Sequence, residues 1–270
     1  MLIDRAGVDR TSAIRVMQSC TGRSGADWVR DLDGQVGEEG LVCFGDRVAR
    51  CRRGEPLQYV VGRWGFRSLE LQVSPAALIP RPETEMVVEV ALREIRGRPS
   101  PARAADLGTG TGAIAISLAV EAGAEVWATD LSERALALAR HNVESFRTPA
   151  PVHLTSGSWY EALPDELCGH LDLVVSNPPY ISEAEYQLLD PVVREYEPSV
   201  ALVSGPSGLE AHETILASGP SWLAPGGCLV LEIAPHQAEQ VADMARRSGF
   251  ASVEVVPDLA GRDRSLVARR

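Results

Sequence analysis

The sequence predicts an α/β fold built on a doubly wound, mostly parallel sheet, with a small helical domain ahead of it. Three observations carry this. From residue 102, short runs of strand formers alternate with helical runs, the order that βαβ units impose. The loop Asp106-Leu107-Gly108-Thr109-Gly110-Thr111-Gly112 follows the first of these strands and opens a helix. A length of 270 residues, 45% apolar and 23% charged, suits one large globular domain or one plus a small partner.

Residues 1–58 differ from the rest. They hold nine acids and nine arginines, so the whole net charge of -11 lies downstream. Apolar spacings such as Ile14, Met17 and Trp28, or Val48 and Cys51, suit short amphipathic helices. Over 59–75 the residues Tyr59, Val60, Val61, Trp64, Phe66, Leu69, Leu71 and Val73 are strand formers broken by Gly62 and Gly65, which predicts a β-hairpin linker. The large domain spans 76–270. Its approach, Ile79-Pro80-Arg81-Pro82-Glu83-Thr84-Glu85, is stiffened by two prolines, and Pro82 fits a first helical turn. Met86 to Ile95 is apolar at helical spacing.

Strands are predicted at Ala102–Leu107, Glu125–Thr129, Val152–Thr155, Leu171–Ser176 and Cys228–Ile233, with helices at Ala113–Glu121, Glu133–Val143 and Gln237–Arg247. Ala251–Val256 and Ser265–Ala268 read as two more strands. Their join is too short for a helical crossover, so they should pair antiparallel.

Composition excludes several classes. An acidic chain lacks the clustered positive charge that a broad phosphate contact surface needs, so stable nucleic-acid binding is not expected. No apolar run approaches the ~18 residues of a membrane span, and the start MLIDRAGVDR shows no secretory h-region. Cys20, Cys43, Cys51, Cys168 and Cys228 are scattered and odd in number, which predicts no disulfide framework and a reduced, cytoplasmic setting. All 26 basic residues are Arg, a composition bias rather than chemistry.

The glycine loop lets a backbone turn tightly and approach a ligand closely. Asp130 ends the next strand, 22 residues after Gly108, where a carboxylate can accept from ribose hydroxyls. Gly108–Ala113 also satisfies the dinucleotide fingerprint, so the loop alone leaves NAD and S-adenosylmethionine both open. Ser176-Asn177-Pro178-Pro179-Tyr180 decides between them. It ends a strand of the open sheet, where ligands bind in such folds. Two prolines fix the backbone and supply no N–H donor. The Asn177 side-chain oxygen and the Pro178 carbonyl are then acceptors for the two hydrogens of a planar NH2 group, and holding both orients its nitrogen. Tyr180 can pack on the flat group. Methylation of an amide or an exocyclic amine needs this arrangement. A Pro-Pro turn with Asn as turn former is the competing, weaker reading.

These motifs resemble those of the PrmC/HemK family, the protein-(glutamine-N5) methyltransferases acting on class-1 peptide-chain release factors. The likeness includes Gly54-Glu55-Pro56-Leu57-Gln58-Tyr59, the Ile79-to-Glu85 approach, the Asp106-to-Gly112 loop, Asn177-to-Tyr180 and Asp258-Leu259-Ala260-Gly261-Arg262-Asp263-Arg264. Asn-Pro-Pro-Tyr alone is shared with adenine-N6 DNA methyltransferases; its combination with the 79–85 motif is far more specific. The resemblance implies a class I S-adenosylmethionine-dependent methyltransferase fold, Rossmann-like, with a mostly parallel seven-stranded sheet, and a substrate-recognition role for residues 1–58. It implies that Gly108, Thr109, Gly110, Thr111 and Gly112 cradle the amino-acid end of S-adenosylmethionine, that Asp130 binds its ribose and that Trp159 lies beside the adenine. Asn177, Pro178, Pro179 and Tyr180 would hold the substrate glutamine, with Asn177, Pro178 and Tyr180 catalytic and Asn177 also touching the cofactor. The family more often has Asp where this chain has Ser158.

The resemblance also sets the competing functions. A glutamine methyltransferase of a ribosomal protein would use the same site. An adenine-N6 DNA methyltransferase conflicts with the acidic balance and leaves no room for a target-recognition domain. A non-catalytic binding module would not need the glycine loop, Asp130 and Asn177–Tyr180 together.

Other features read more plainly. His141, His153, His170, His212 and His236 lack ligand spacing and suit surfaces or helix ends, and no metal is expected. Glu83 and Glu85 suit charge–dipole stabilisation of a helix start; the resemblance implies, as a second reading, that this segment lies over the cofactor. Trp28 and Trp64 read as packing anchors, and Glu197-Pro198 and Gly205–Gly208 as loops, a region that the resemblance implies lies near the substrate. Arg50, Arg52 and Arg53 read as a solvated helix face or as a contact for an acidic partner.

Overall fold

A computed structural model describes residues 3, 6–23, 25–30, 35–98 and 100–270. Helices α1 (Arg10–Thr21), α2 (Gly25–Arg30), α3 (Glu38–Arg52) and α4 (Leu57–Val61) open the chain. Asp9 caps α1 by accepting from the Ser12 N–H, and Gly22 ends it in the left-handed conformation. Ala13, Val16, Met17, Phe44, Val48 and Val60 pack into one small core, with Trp28 half-buried against it. Cys20 and Cys43 are joined as a disulfide between α1 and α3, which corrects the expectation that the scattered cysteines form no disulfide framework. Spacing could not reveal this pairing, because the bond depends on how the two helices cross.

The hairpin is β1 (Arg63–Phe66) paired antiparallel with β2 (Leu69–Gln72). It is shorter than the predicted 59–75, since Tyr59, Val60 and Val61 belong to α4. Pro56 precedes that helix and Gly62, at φ 80°, terminates it. Burial of Val60 in the helical core and a 2.8 Å hydrogen bond from the Tyr59 hydroxyl to the Ala77 carbonyl override the β preference of these residues.

The large domain then alternates: α5 (Pro82–Ile95), β3 (Arg103–Leu107), α6 (Ala113–Ala122), β4 (Glu125–Asp130), α7 (Glu133–Ser145), β5 (Val152–Ser156), β6 (Leu171–Ser176), α8 (Glu183–Tyr186), α9 (Pro191–Tyr196), α10 (Glu210–Trp222), β7 (Leu223–Glu232), α11 (Ala238–Arg247), β8 (Ser252–Pro257) and β9 (Asp263–Arg269). The seven-stranded sheet has the order β5-β4-β3-β6-β7-β9-β8. β5 through β7 are parallel; β9 is antiparallel to both its neighbours.

Strand side chains alternate between two cores. Ala104, Leu173, Val175, Val230 and Val267 face α5 and α6. Ala105, Leu107, Val174, Leu229, Leu231 and Leu266 face α10 and α11. Successive strands leave β3 in opposite directions, through β4 on one side and β6 on the other. That divergence opens a crevice at the C-terminal ends of β3, β4 and β6.

Candidate active site

A cavity of about 1040 Å³, counting its open mouth, fills that crevice. The glycine loop forms its floor. The N–H groups of Gly108 and Thr109 bond the Thr129 carbonyl at 2.8 and 2.9 Å, stapling the loop to the end of β4. Gly108 has φ 76°, and a Cβ there would sit 3.3 Å from the Trp159 ring, so only glycine fits without displacing that wall. Buried Asp106 accepts from the Thr109 hydroxyl at 2.6 Å and from the Ala115 N–H at 3.1 Å. Its other oxygen has no partner, and burial pushes its pKa up to about 7. α6 begins here without a side-chain cap, and Ala113 and Ile114 line the cavity. Free N–H groups at a helix start favour a negatively charged group.

Asp130 stands at the tip of β4. One carboxylate oxygen accepts from the Gly110 N–H at 2.8 Å and the other from the Ser132 N–H at 2.9 Å. Burial raises its pKa, opposed by those bonds. Each oxygen keeps a lone pair for a hydroxyl in the cavity. Trp159, at φ 44°, and Ser158 form the facing wall.

Asn177 enters from the end of β6, which the Ser176 hydroxyl ties to β3 through a 2.6 Å bond to the Leu107 carbonyl. The Asn177 Nδ2 donates to the Thr84 hydroxyl oxygen at 3.1 Å. Two segments cover the mouth: Ala76–Arg81, and the stretch holding Pro198, Val200 and Ala201. They are joined where Arg81 donates to the buried carboxylate of Glu197 at 2.6 Å. The prolines stiffen one side of this clasp and a short turn shapes the other.

Gly108, Thr109, Gly110, Thr111, Asp130, Trp159, Asn177 and Pro179 therefore line one cavity. Gly112, Pro178 and Tyr180 are not among its lining residues. Gly112 faces Ile116 and Ala139, and Pro178 is buried. Tyr180 is half-buried; burial, with Glu232 close by, raises its phenol to about 12. Its carbonyl accepts from Gln237 Nε2 at 3.0 Å.

Sequence reasoning gives Thr84 and Glu197 no individual role and misses Glu232. A lone carboxylate inside the apolar run Cys228–Ile233 was the available signal for the last. Glu83 pairs with Arg262 at 3.6 Å, and Glu85 accepts from the Arg67 N–H, so neither lines the cavity. Arg50 bonds Glu55, and Arg52 bonds the Ala6 carbonyl, so these two arginines have internal partners. His212 is fully buried against the Glu232 carbonyl rather than at a surface.

Residues 87–195 match the methyltransferase small domain family. The fold agrees: a methyltransferase from Pyrococcus furiosus superposes with a TM-score of 0.55 at 19% identity, covering 83% of this chain and 98% of that one. A Thermus thermophilus 16S rRNA N2 G1207 methyltransferase, solved with AdoMet and guanosine, gives 0.55 at 19% identity over 77% of this chain and 49% of that one. The fold is thus that of class I methyltransferases. Among proteins of known name, the release factor glutamine methyltransferase of Gloeobacter violaceus is 44% identical over 81% of this chain and 76% of its own length. That of Bordetella pertussis is 40% identical over 97% and 96%. The chain belongs to the release factor glutamine methyltransferase family.

Proposed function

We propose that this enzyme transfers a methyl group from S-adenosylmethionine to the side-chain amide nitrogen (N5) of the glutamine in the Gly-Gly-Gln motif of class-1 release factors. The observation that carries the reading is the shared cavity, in which Asn177 meets the glycine loop and Asp130. The names of the relatives supply the substrate.

The residues fit the cofactor. Gly108 to Thr111 and the α6 N-terminus suit the amino-acid end, with Gly112 as the turn that starts the helix. Asp130 suits the ribose, and Trp159 and Ser158 suit the adenine. The cofactor supplies a sulfonium methyl, a strong electrophile that a poorly nucleophilic amide can attack.

The chain's own task is orientation. The Asn177 oxygen and the Pro178 carbonyl accept the two amide hydrogens and turn the nitrogen lone pair toward the donor. Pro178 and Pro179 hold these acceptors rigid. Gln237 holds the Tyr180 carbonyl, and the half-buried Tyr180 ring is suited to pack on the flat amide. Residues 1–58 serve as the surface that recognises the release factor. A soluble translation factor as substrate implies a cytoplasmic enzyme, and a chain of net charge -11 implies no stable nucleic-acid partner. Among the described residues no helix is long and apolar enough to cross a membrane.

The test is methyl transfer from labelled S-adenosylmethionine to purified release factors, ribosomal proteins and DNA, offered separately, with the modified residue mapped by mass spectrometry. Label on the Gly-Gly-Gln glutamine is expected. Label confined to another acceptor would overturn the substrate.

A further inference from the structure

Glu232 lies behind the cavity wall, not among its lining residues. It ends β7, is 1% exposed, and its Oε2 accepts from the Thr84 hydroxyl at 2.6 Å. Thr84 lies in the first turn of α5 and is itself buried. Its oxygen accepts in turn from Asn177 Nδ2 at 3.1 Å. The three residues come from β7, α5 and the end of β6, and form one chain that stops at the cavity.

The direction of that chain follows from donor arithmetic. A hydroxyl has one hydrogen to give, and an ionised carboxylate can only accept. The Thr84 hydrogen therefore goes to Glu232, at the short distance of a charge-assisted bond. Thr84 can then only accept from Asn177, so the amide must turn its NH2 toward Thr84. The Asn177 oxygen is left on the opposite limb of the amide. Without this constraint a half-turn of the amide would interchange donor and acceptor. An NH2 would then confront the NH2 of the substrate.

We propose that Thr84 and Glu232 are positioning residues that fix the Asn177 amide with its oxygen toward the substrate. The inference rests on the reading of Asn177 as acceptor of the substrate amide hydrogens, and it deepens that reading.

The constraint holds only while Glu232 is ionised. A protonated Glu232 can donate to Thr84, which frees the Thr84 hydrogen for the Asn177 oxygen and permits the reversed amide. Burial, first, raises the Glu232 carboxyl to about 7; the Thr84 bond and Arg264 of β9 oppose this, Glu83 adds to it and Arg81 opposes it. The Tyr180 phenol is the other titratable side chain close by, and His212 Nε2 bonds the Glu232 backbone carbonyl at 3.0 Å. Lowering the pH through this range should therefore lower turnover.

The experiment measures kcat and KM for methyl transfer to a purified release factor, with the cofactor Kd from calorimetry. It uses the wild type, Thr84→Val, Thr84→Ser and Glu232→Gln. Thr84→Val should lower kcat at least tenfold while the cofactor Kd stays within twofold. Thr84→Ser, which keeps the hydroxyl, should return kcat to within threefold of wild type. Wild-type kcat should fall as pH drops through 7, and Glu232→Gln should flatten that limb. The inference is overturned if Thr84→Val stays within twofold in kcat, if Thr84→Ser is as impaired as Thr84→Val, or if cofactor affinity falls in parallel with kcat. Should Thr84→Val fail to fold, an unchanged pH profile in Glu232→Gln overturns it instead. A wild-type enzyme that labels a different acceptor overturns the release-factor reading alone, and the same variants judged on that acceptor still decide this one.

Discussion

Replacing Asp130 by alanine separates cofactor binding from everything else the cavity does. Each Asp130 oxygen already holds one backbone N–H, from Gly110 at 2.8 Å and from Ser132 at 2.9 Å, and has a lone pair left for a ribose hydroxyl. A hydrogen bond to a charged group contributes roughly 1.5–3 kcal/mol. Losing two such bonds, partly replaced by water in an open cavity, should cost about 3 kcal/mol. At about 1.4 kcal/mol per tenfold, S-adenosylmethionine should bind Asp130→Ala on the order of a hundredfold more weakly. Asp130→Asn keeps an acceptor but no charge, and should fall between the two. Isothermal titration calorimetry at pH 8 checks the series. Lower pH should mimic the neutral variant, because burial raises the Asp130 pKa and the protonated acid is a weaker acceptor. A Kd for Asp130→Ala within threefold of wild type, with the fold intact by circular dichroism, would refute the assignment of Asp130 to the cofactor.

Three further outcomes are expected. Asn177→Ala should keep cofactor affinity and lose most turnover, measured by methyl transfer at saturating cofactor; a rate near wild type would remove orientation as the source of catalysis. Arg81→Ala leaves the Glu197 carboxylate buried without its partner, which should destabilise the protein by roughly 3 kcal/mol in urea unfolding; an unchanged midpoint would mean that the clasp carries no stability. Folded Asp106 holds its proton up to about pH 7, whereas the unfolded chain releases it near the ordinary carboxylate value of about 4. Between these values the folded state binds more protons, so this residue makes stability fall as pH rises. The melting temperature of Asp106→Asn relative to wild type should therefore climb from pH 5 to pH 8, and a constant difference would count against a neutral buried acid.

The parallel strands are legible because short, largely apolar runs alternate with helical ones, and β6 begins and ends at the predicted Leu171 and Ser176. The antiparallel tail was legible from its short connection. Its insertion was not: β9 lies between β7 and β8, and no local pattern encodes the order of strands. α10 escaped notice because Gly219 and Pro220 near its end resemble a loop, although Ile215 and Leu216 are fully buried. At the site, glycines and a Pro-Pro pair mark where a backbone must bend or stiffen, so Gly108 and Asn177 stood out. Which of them line the cavity is a tertiary matter, and Gly112, Pro178 and Tyr180 do not. The bond between Thr84 and Glu232 joins residues 148 apart, beyond any spacing argument. Apolar spacing marks residues 1–58 as helical, but the Cys20–Cys43 link depends on how two helices cross, which spacing does not encode.

Asn142 of α7 grips the main chain of the hairpin. Its side chain accepts from the Gln72 N–H at 2.8 Å and donates to the Gln72 carbonyl at 3.0 Å, while also bonding the Thr111 carbonyl at 2.9 Å. On the hairpin side only main-chain atoms take part in these bonds. Side chains of the hairpin complete the joint: Phe66, Leu69 and Leu71 are buried in the core with α5 and α6, and Arg67 pairs with Glu89 and Glu121. Chimeras that graft the helices and hairpin of a distant relative should therefore seat correctly only where Asn142, the apolar residues at 66, 69 and 71 and the partners of Arg67 are all matched.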